Sequence, residues 1–560
     1  MSVSIISSAF LYGFVMSSAQ SGIEKIGIRL YGYPYPVDSH RSWSTVRKHL
    51  NNRISNCFRN VLWLNKQLWD TSQTFSARGH AFSSPSRTLK YEWNDSLKIT
   101  IRNRLSLENT PPELEAILRK QMGFTNPKWQ ENERLGRWNK GTPEHLSFFE
   151  KTRTGRILLP RGYVRQLMLM CRRMNISYTL EDLRRTLPEV DFTFSGRLKP
   201  FQEVAAERML SKEFGTLSAP TGSGKTVIAL YMIAGRRQPA LVVVHTRDLA
   251  FQWTQKIGEF LSIPEDSVGL IGGGEKRFGP EITVALVQSL YKCAEEAAPR
   301  IGSLVVDECR RAPSRTFTEA VSAFDARYML GLTATPWRRD KLSRLIFWHL
   351  GDVHHEIEKS PLIKDGHILE ADVVIRETAF SPFHDPVREY PKMLSELTAD
   401  DDRNRMIAED VAREAEKGVC LVLSDRKKHC ETLHSLLRFK HHIQAELLTG
   451  DLTMAQRRTV IDRINQGAAR AVVATGQLIG EGFDCRNLTT LFITTPVRFT
   501  GRILQYLGRI LRPAPGKTRA KVYDYVDVKV GPLMAAARNR QWVYRSQNTA
   551  AKLEDSAPPS

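Results

Sequence analysis

Acidic residues are in short supply in this chain: 60 Asp and Glu stand against 81 Lys and Arg in 560 residues, a formal charge of +21. Cysteine is sparse as well. The seven cysteines, Cys57, Cys171, Cys293, Cys309, Cys420, Cys430 and Cys485, are scattered and form no CxxC pair. That spacing excludes a zinc ribbon or a disulfide scaffold and points to a reducing compartment. The one membrane-like segment, SIISSAFLYGFVM from Ser4 to Met16, falls short of the roughly 18 apolar residues a span requires. The first basic residue, Lys25, comes after that segment rather than before it, which argues against a signal peptide. A cytoplasmic protein, nucleoid-associated if prokaryotic and with no membrane partner, is the expectation.

The excess positive charge suggests a polyanionic partner, because each phosphate neutralised by Lys or Arg releases counterions and strengthens binding. A merely soluble basic surface is the alternative. With 41% hydrophobic and 25% charged residues the composition is that of ordinary globular protein, and the length allows about three domains.

Residues 1–90 show little periodicity and are rich in Ser, Asn and Arg, with SQTFSARGHAFSSPSRTL reading as a linker. They are expected to be a poorly defined N-terminal extension. From LKITIRNRLSL (Leu97 to Leu107), which alternates apolar and polar residues as a half-buried strand does, a small α+β accessory domain is expected over 91–190. Short β-branched runs then alternate with amphipathic stretches: TLSA, ALVVVH, ITVALV, SLVVDE and YMLGLTAT in one series, and ADVVIRE, VCLVLSD, AELLTG, RAVVAT, TLFITT and KVYDYVD in a second. Two tandem α/β domains with parallel, helix-flanked sheets are the economical reading, at 191–362 and 363–546, with a disordered tail at 547–560.

The sharpest local signal is LSAPTGSGKTVIAL, a strand, a Gly-rich turn and a helix in succession. Gly222 and Gly224 allow backbone conformations that turn N–H groups towards phosphate oxygens, and the helix adds its positive N-terminus. Lys225 then reaches the β and γ phosphates, and the Thr226 hydroxyl ligates magnesium. The strict pattern would have Gly at 219, where this chain has Ala219. Such a site needs a carboxylate for magnesium on a neighbouring strand and a second to orient and deprotonate the attacking water. SLVVDE supplies Asp307 and Glu308 at the C-terminal end of a strand, where doubly wound sheets bind ligands. The alternative is an acidic strand end paired with Arg310 or Arg311, worth only about 0–1 kcal/mol if exposed.

In order along the chain, GRLKPFQ (Gly196 to Gln202), APTGSGKT, HTRDLAFQW, VALVQSL, VVDECRR, GLTATPWRRD, CLVLSDRKKHCETL, LLTGDLTMAQR, VVATGQLIGEGFD and ILQYLGRILRP resemble the successive motifs of superfamily 2 helicases. The likeness is greatest to the XPB-like and UvsW-like branch of the DEAD/DEAH-box DNA helicases, and it covers about residues 196–513. NPKWQENERLGRW and LPRGY resemble, less specifically, an accessory domain that precedes the core in some prokaryotic and phage-related members. The resemblance implies two tandem RecA-like parallel-sheet domains of the P-loop NTPase class, ATP and Mg2+ as cofactors, and DNA as partner.

Carried over position by position, it gives Gln202 an adenine-reading role with Phe201 stacking on the base, and makes Ala219 to Thr226 (Ala219, Pro220, Thr221, Gly222, Ser223, Gly224, Lys225, Thr226) the phosphate loop. Thr333, Ala334 and Thr335 would link nucleotide to nucleic acid, with Thr246, Arg247 and Gln288 contacting the strand, mostly at phosphates. Gly482 and Asp484 would contact nucleotide and strand across the cleft. Gln505, Arg509 and Arg512 resemble the arginine-finger motif; a solvated basic helix face is the alternative. Hydrolysis would then require the two domains to close.

Departures stand beside the match. Relatives carry His where this chain has Arg310, which is expected to bridge to the second domain or to steady the carboxylates. Arg338, Arg339 and Asp340 replace an Arg-Glu-Asp element. The accessory segment interleaves Lys128, Trp129, Arg134, Arg137, Trp138, Lys140, Arg161 and Tyr163, a combination of cations and aromatics suited to single strands, unless both tryptophans are core residues. The function expected is an ATP-dependent DNA helicase or duplex translocase. The competing readings are a restriction or defence motor with a separate nuclease, a DNA-binding ATPase switch, and an RNA helicase. About 30 residues follow the last expected strand and no metal-nuclease constellation stands in the first 190, so any nuclease is expected on another chain.

Overall fold

A computed structural model of the chain describes residues 96–311, 315–337, 342–480, 485, 487–497, 500–546 and 550–553. The expected N-terminal extension, Gly482, Asp484 and the Arg338-Arg339-Asp340 element lie outside the described residues. Among the described residues no helix is long and apolar enough to cross a membrane.

Three sheets follow one another. The accessory segment holds β1 (Leu97–Ile101), β2 (Arg104–Glu108), β3 (Gly123–Thr125), β4 (His145–Ser147), β5 (Glu150–Lys151), β6 (Ile157–Pro160) and β7 (Tyr178–Asp182). Its sheet runs β5-β6-β2-β1-β7, with β3 and β4 as a separate hairpin. The stretch read as one half-buried strand is two. Leu97, Ile99, Ile101, Leu105 and Leu107 are all buried, but the chain reverses at Arg102 and Asn103, and β1 pairs antiparallel with β2. The apolar alternation stays in phase through the turn, so the pattern alone does not reveal the reversal.

The second sheet contains β8 (Phe214–Ser218), β9 (Ala240–Val244), β10 (Gly269–Gly272), β11 (Glu275–Arg277), β12 (Ile282–Leu286), β13 (Ser303–Val306), β14 (Tyr328–Thr333) and β15 (Val353–Glu356), in the order β11-β10-β12-β9-β13-β14-β8-β15. Pairing is parallel except for β11 against β10. The third contains β16 (Ala371–Thr378), β17 (Val419–Ser424), β18 (Ala445–Leu448), β19 (Ala471–Thr475), β20 (Leu488–Ile493), β21 (Ala520–Asp527) and β22 (Ala550–Leu553). It is parallel throughout, in the order β18-β19-β17-β20-β21-β16-β22. Every residue of β9, β12, β13 and β17 is buried, as strands covered on both faces require. Both the second and the third are helix-flanked α/β sheets, as the two series of strands in the sequence implied. One expectation is corrected: within the stretch read as a disordered tail, Ala550–Leu553 adds an edge strand to β16. Main-chain pairing makes this strand, and a segment as short as AAKL carries no pattern to announce it.

The accessory sheet is fastened to the second sheet through LPRGY. Gly162 lies so close to the backbone of Phe347, Trp348 and Gly351 that a Cβ would collide with all three. Leu345 and Trp348, from the helix Ser343–Leu350, complete the accessory core. Arg161 and Tyr163 are therefore not nucleic-acid contacts. Arg161 is 2% exposed and donates through Nη1 to the Ala326 carbonyl at 2.8 Å, with burial pulling its guanidinium down to about 9. Trp138 is the opposite case. It is 82% exposed, with the Lys140 ammonium 5.1 Å from its ring centroid and Lys128, Arg134 and Arg137 exposed along the same segment, so the core reading fails for this tryptophan.

Candidate functional site

The phosphate loop leaves β8 and enters the helix Lys225–Arg236. Gly222 and Gly224 have φ of 91° and 81°, and Gly224 is the helix N-cap. A Cβ on Gly224 would also collide with the Gln202 amide, so glycine is required there on two counts. Ala219 explains itself differently. It is wholly buried, and its N–H donates to the Thr333 carbonyl at 2.9 Å, which prolongs the sheet ladder. It is not among the positive-φ residues, so this position makes no demand for glycine. The Ser223 hydroxyl donates to the Pro220 carbonyl at 2.7 Å, and Lys225 Nζ donates to the Ala219 carbonyl at 3.1 Å, which holds the ammonium inside the loop. Thr226 follows in the first helical turn, half-buried.

Gln202 is committed to this loop. Its Oε1 accepts from the Lys199 N–H at 2.9 Å and its Nε2 donates to the Ser223 carbonyl at 2.8 Å, with 6% of the residue exposed. Phe201 stacks obliquely on His367, ring centroids 5.1 Å apart. Lys199 Nζ lies 3.2 Å from His367 Nδ1.

Asp307 and Glu308 follow the end of β13. Asp307 is buried, its Oδ2 accepting from the Trp253 indole N–H and its Oδ1 from the Glu308 backbone N–H, both at 2.8 Å. Burial and the neighbouring Glu308 carboxylate push its carboxyl up to about 6, against the pull of the Trp253 N–H and Lys225. Glu308 stands at φ 45°, a left-handed conformation that costs a non-glycine residue about 1–3 kcal/mol and recurs at functional sites. The Arg310 guanidinium donates to Thr335 Oγ1 at 2.7 Å. That bond ties the acidic motif to the Thr-Ala-Thr motif, a link the sequence reading did not foresee. Thr335 is held in turn by its N–H, which donates to Thr333 Oγ1 at 3.2 Å. Among the described residues no group of three or more His, Cys, Asp or Glu side chains is gathered to hold an ion by protein ligands alone.

The third sheet closes on the loop through the helix Thr500–Ile510. A Cβ on Gly508 would collide with the Thr221 side chain, and the Arg512 stem passes over Gly222. Arg509 is 8% exposed, and Gln505 is half-buried one turn before it. Leu504, Leu507 and Leu511 face Pro220, Thr221, Thr335 and Lys359 across a cavity of about 430 Å³.

Thr246 caps the helix Arg247–Leu261 by accepting from the Leu249 N–H at 3.3 Å, and the Arg247 guanidinium lies over Gly273. Gln288 is exposed just after β12, which neighbours β9, so Thr246, Arg247 and Gln288 share the C-terminal edge of the second sheet. The structure thus gathers the phosphate loop, the two acids, the threonine motif and the Arg509 helix.

Sequence reasoning missed Trp253 and His367. Trp253 had a signal: an indole at a buried helix position needs an acceptor for its N–H. His367 had none, because it meets Phe201 only through tertiary packing.

The family model described as "Type III restriction enzyme, res subunit" matches residues 195–338, and that described as "Helicase conserved C-terminal domain" matches residues 402–514. A putative ATP-dependent RNA helicase of Acanthamoeba polyphaga mimivirus is 25% identical, over 64% of this chain and 70% of its own length. The DNA 3'-5' translocase XPB2 of Sulfurisphaera tokodaii is 28% identical, over 56% of this chain and 78% of its own length. The ATP-dependent DNA helicase uvsW of Enterobacteria phage T4 is 22% identical, over 66% of this chain and 79% of its own length.

Proposed function

Because the chain belongs to the superfamily 2 helicases, we propose that it is an ATP-driven motor that moves along or unwinds DNA. The observation that carries this reading is the seating of Gly508 on Thr221, which brings an arginine-bearing helix of one sheet against the phosphate loop of the other. Phosphoryl transfer spreads charge over the equatorial oxygens, and a cation delivered from a second domain accelerates it about 10³–10⁵-fold. With Arg509 as that cation, and Gln505 and Arg512 beside it, hydrolysis is tied to closure of the cleft, and a strand lying across both sheets is moved as the cleft opens and closes.

The remaining roles follow from position. The backbone from Gly222 to Thr226 cradles the β and γ phosphates of ATP, with Lys225 as the counter-charge. Thr226 and Asp307 are the protein groups suited to Mg2+, which takes few protein ligands and the rest from phosphate and water; bound Mg2+ supplies charge neutralisation at the β and γ oxygens. Glu308 orients the attacking water and takes its proton. Thr246, Arg247, Gln288 and Thr335 hold the strand by its phosphates, whereas Thr333, wholly buried with its hydroxyl bonded to the Thr335 backbone, is not a strand contact and positions Thr335 instead. The exposed Trp138 and Lys140 add an aromatic platform beyond the core.

Arg310 stands where the family resemblance implies a histidine, and its bond to Thr335 gives it a relay role between hydrolysis and strand. Arg310→Ala is expected to leave the KM for ATP within about twofold and to reduce the stimulation of turnover by DNA about tenfold, the lower end of what a hydrogen bond from a charged group is worth. Unchanged stimulation in a steady-state assay removes that role.

Relatives named for DNA and for RNA both match, so the nucleic acid is decided by turnover on matched strands. Stimulation by DNA above that by RNA of the same sequence supports the proposal, and preference for RNA overturns it.

A further inference from the structure

The helix Arg247–Leu261 touches three parts of the molecule at once. At its N-terminus stand Thr246 and Arg247. Asp248, the next residue, and Phe251, one turn on, meet the helix Met454–Asn465 of the third sheet. The Arg458 guanidinium sits 3.6 Å from the Phe251 ring centroid, and Arg457 Nη1 is 3.6 Å from Asp248 Oδ2. Half a turn further, on the buried side, Trp253 donates to Asp307. Arg247 and Phe251 are four residues apart and share a helix face. Whatever seats Arg458 on Phe251 therefore bears on the strand-contacting end of the helix and, through Trp253, on the buried carboxylate beside Lys225.

Resting on the motor reading above, we propose that this helix is the strut coupling closure of the two sheets to catalysis, and that Arg458, by stacking on Phe251, is a positioning residue for the DNA-stimulated reaction. A guanidinium over an aromatic face is attracted by the ring quadrupole and by its own planar stacking. The seat exists only while the third sheet lies against the second. When the sheets part, Arg458 leaves the ring and the strut loses its outer support. When a strand draws them together, the contact forms one turn from Arg247, and Trp253 carries the constraint to Asp307. Arg458 is exposed, so its removal takes nothing from a core.

The test is a double-mutant cycle on the full chain, with ATP turnover measured without nucleic acid and across a titration of forked DNA. Arg458→Ala and Phe251→Leu are each expected to lower the DNA-stimulated kcat about fivefold, with the double variant no worse than either single one. Turnover without DNA and the DNA concentration for half-stimulation stay within about twofold of the parent protein. Arg458→Lys, which keeps the charge and loses the planar stack, recovers only part of the loss. Losses that multiply in the double variant, a loss confined to DNA affinity, or full stimulation in Arg458→Ala each overturn the strut. If Phe251→Leu does not fold, full stimulation or a fivefold loss in Arg458→Ala decides alone. Absence of DNA stimulation in the parent protein overturns the motor reading itself, an outcome separate from failure of the strut.

Discussion

Lys225→Ala is expected to lower ATP turnover by about 10²–10³-fold, the usual loss when one preorganised donor to a developing charge is removed. The geometry places the whole of that loss in chemistry and phosphate binding. Lys225 Nζ is held on the Ala219 carbonyl, inside a loop whose glycines already adopt left-handed φ, so the fold does not depend on it. Its charge also offsets part of the burial that raises the Asp307 carboxyl, and removing it makes that acid harder to ionise. Turnover measured at saturating ATP, beside a melting curve that stays near that of the parent protein, checks the prediction. Activity within tenfold of the parent means that phosphate is handled elsewhere.

Arg509→Ala carries the second large effect, a fall in turnover of about 10³-fold with ATP binding largely kept. The side chain comes from the third sheet, whereas Lys225, Asp307 and Glu308 come from the second, so its removal leaves the phosphate loop intact. Arg509 is also well buried, and a merely structural role would give a different result. A structural arginine is partly replaced by lysine, which keeps the charge and the stem. A finger is not, because lysine lacks the planar fork that spans two oxygens. Arg509→Lys is therefore expected to remain slow, within about tenfold of Arg509→Ala, with fluorescent-nucleotide binding measured alongside. Restoration by lysine, or weakened nucleotide binding that accounts for the whole loss, contradicts the assignment.

The phosphate loop and the strands were legible because local physics dictates them. Gly222 and Gly224 sit where the backbone turns left-handed, and runs such as ALVVV and SLVV read as strands buried on both faces. Asp307 and Glu308 were legible as a pair at a strand end, but the indole that anchors Asp307 comes from a helix more than 50 residues away. The same limit hid the Arg310 bond to Thr335 and the stacking of Phe201 on His367. Tertiary packing also reversed the reading of the accessory segment. Arg161 looked like a strand-binding cation and is buried against the second sheet, while Trp138 had the makings of a core residue and is exposed. A one-dimensional pattern reports which side chains prefer burial, not which neighbour arrives to cover them.

Coupling of hydrolysis to DNA is the central claim, and ATP turnover by the full chain, alone and then with single-stranded, forked and duplex DNA, tests it most directly. A severalfold or greater rise with at least one of the three, lost in Glu308→Gln, is the predicted result. Equal turnover with and without all three forms would contradict it.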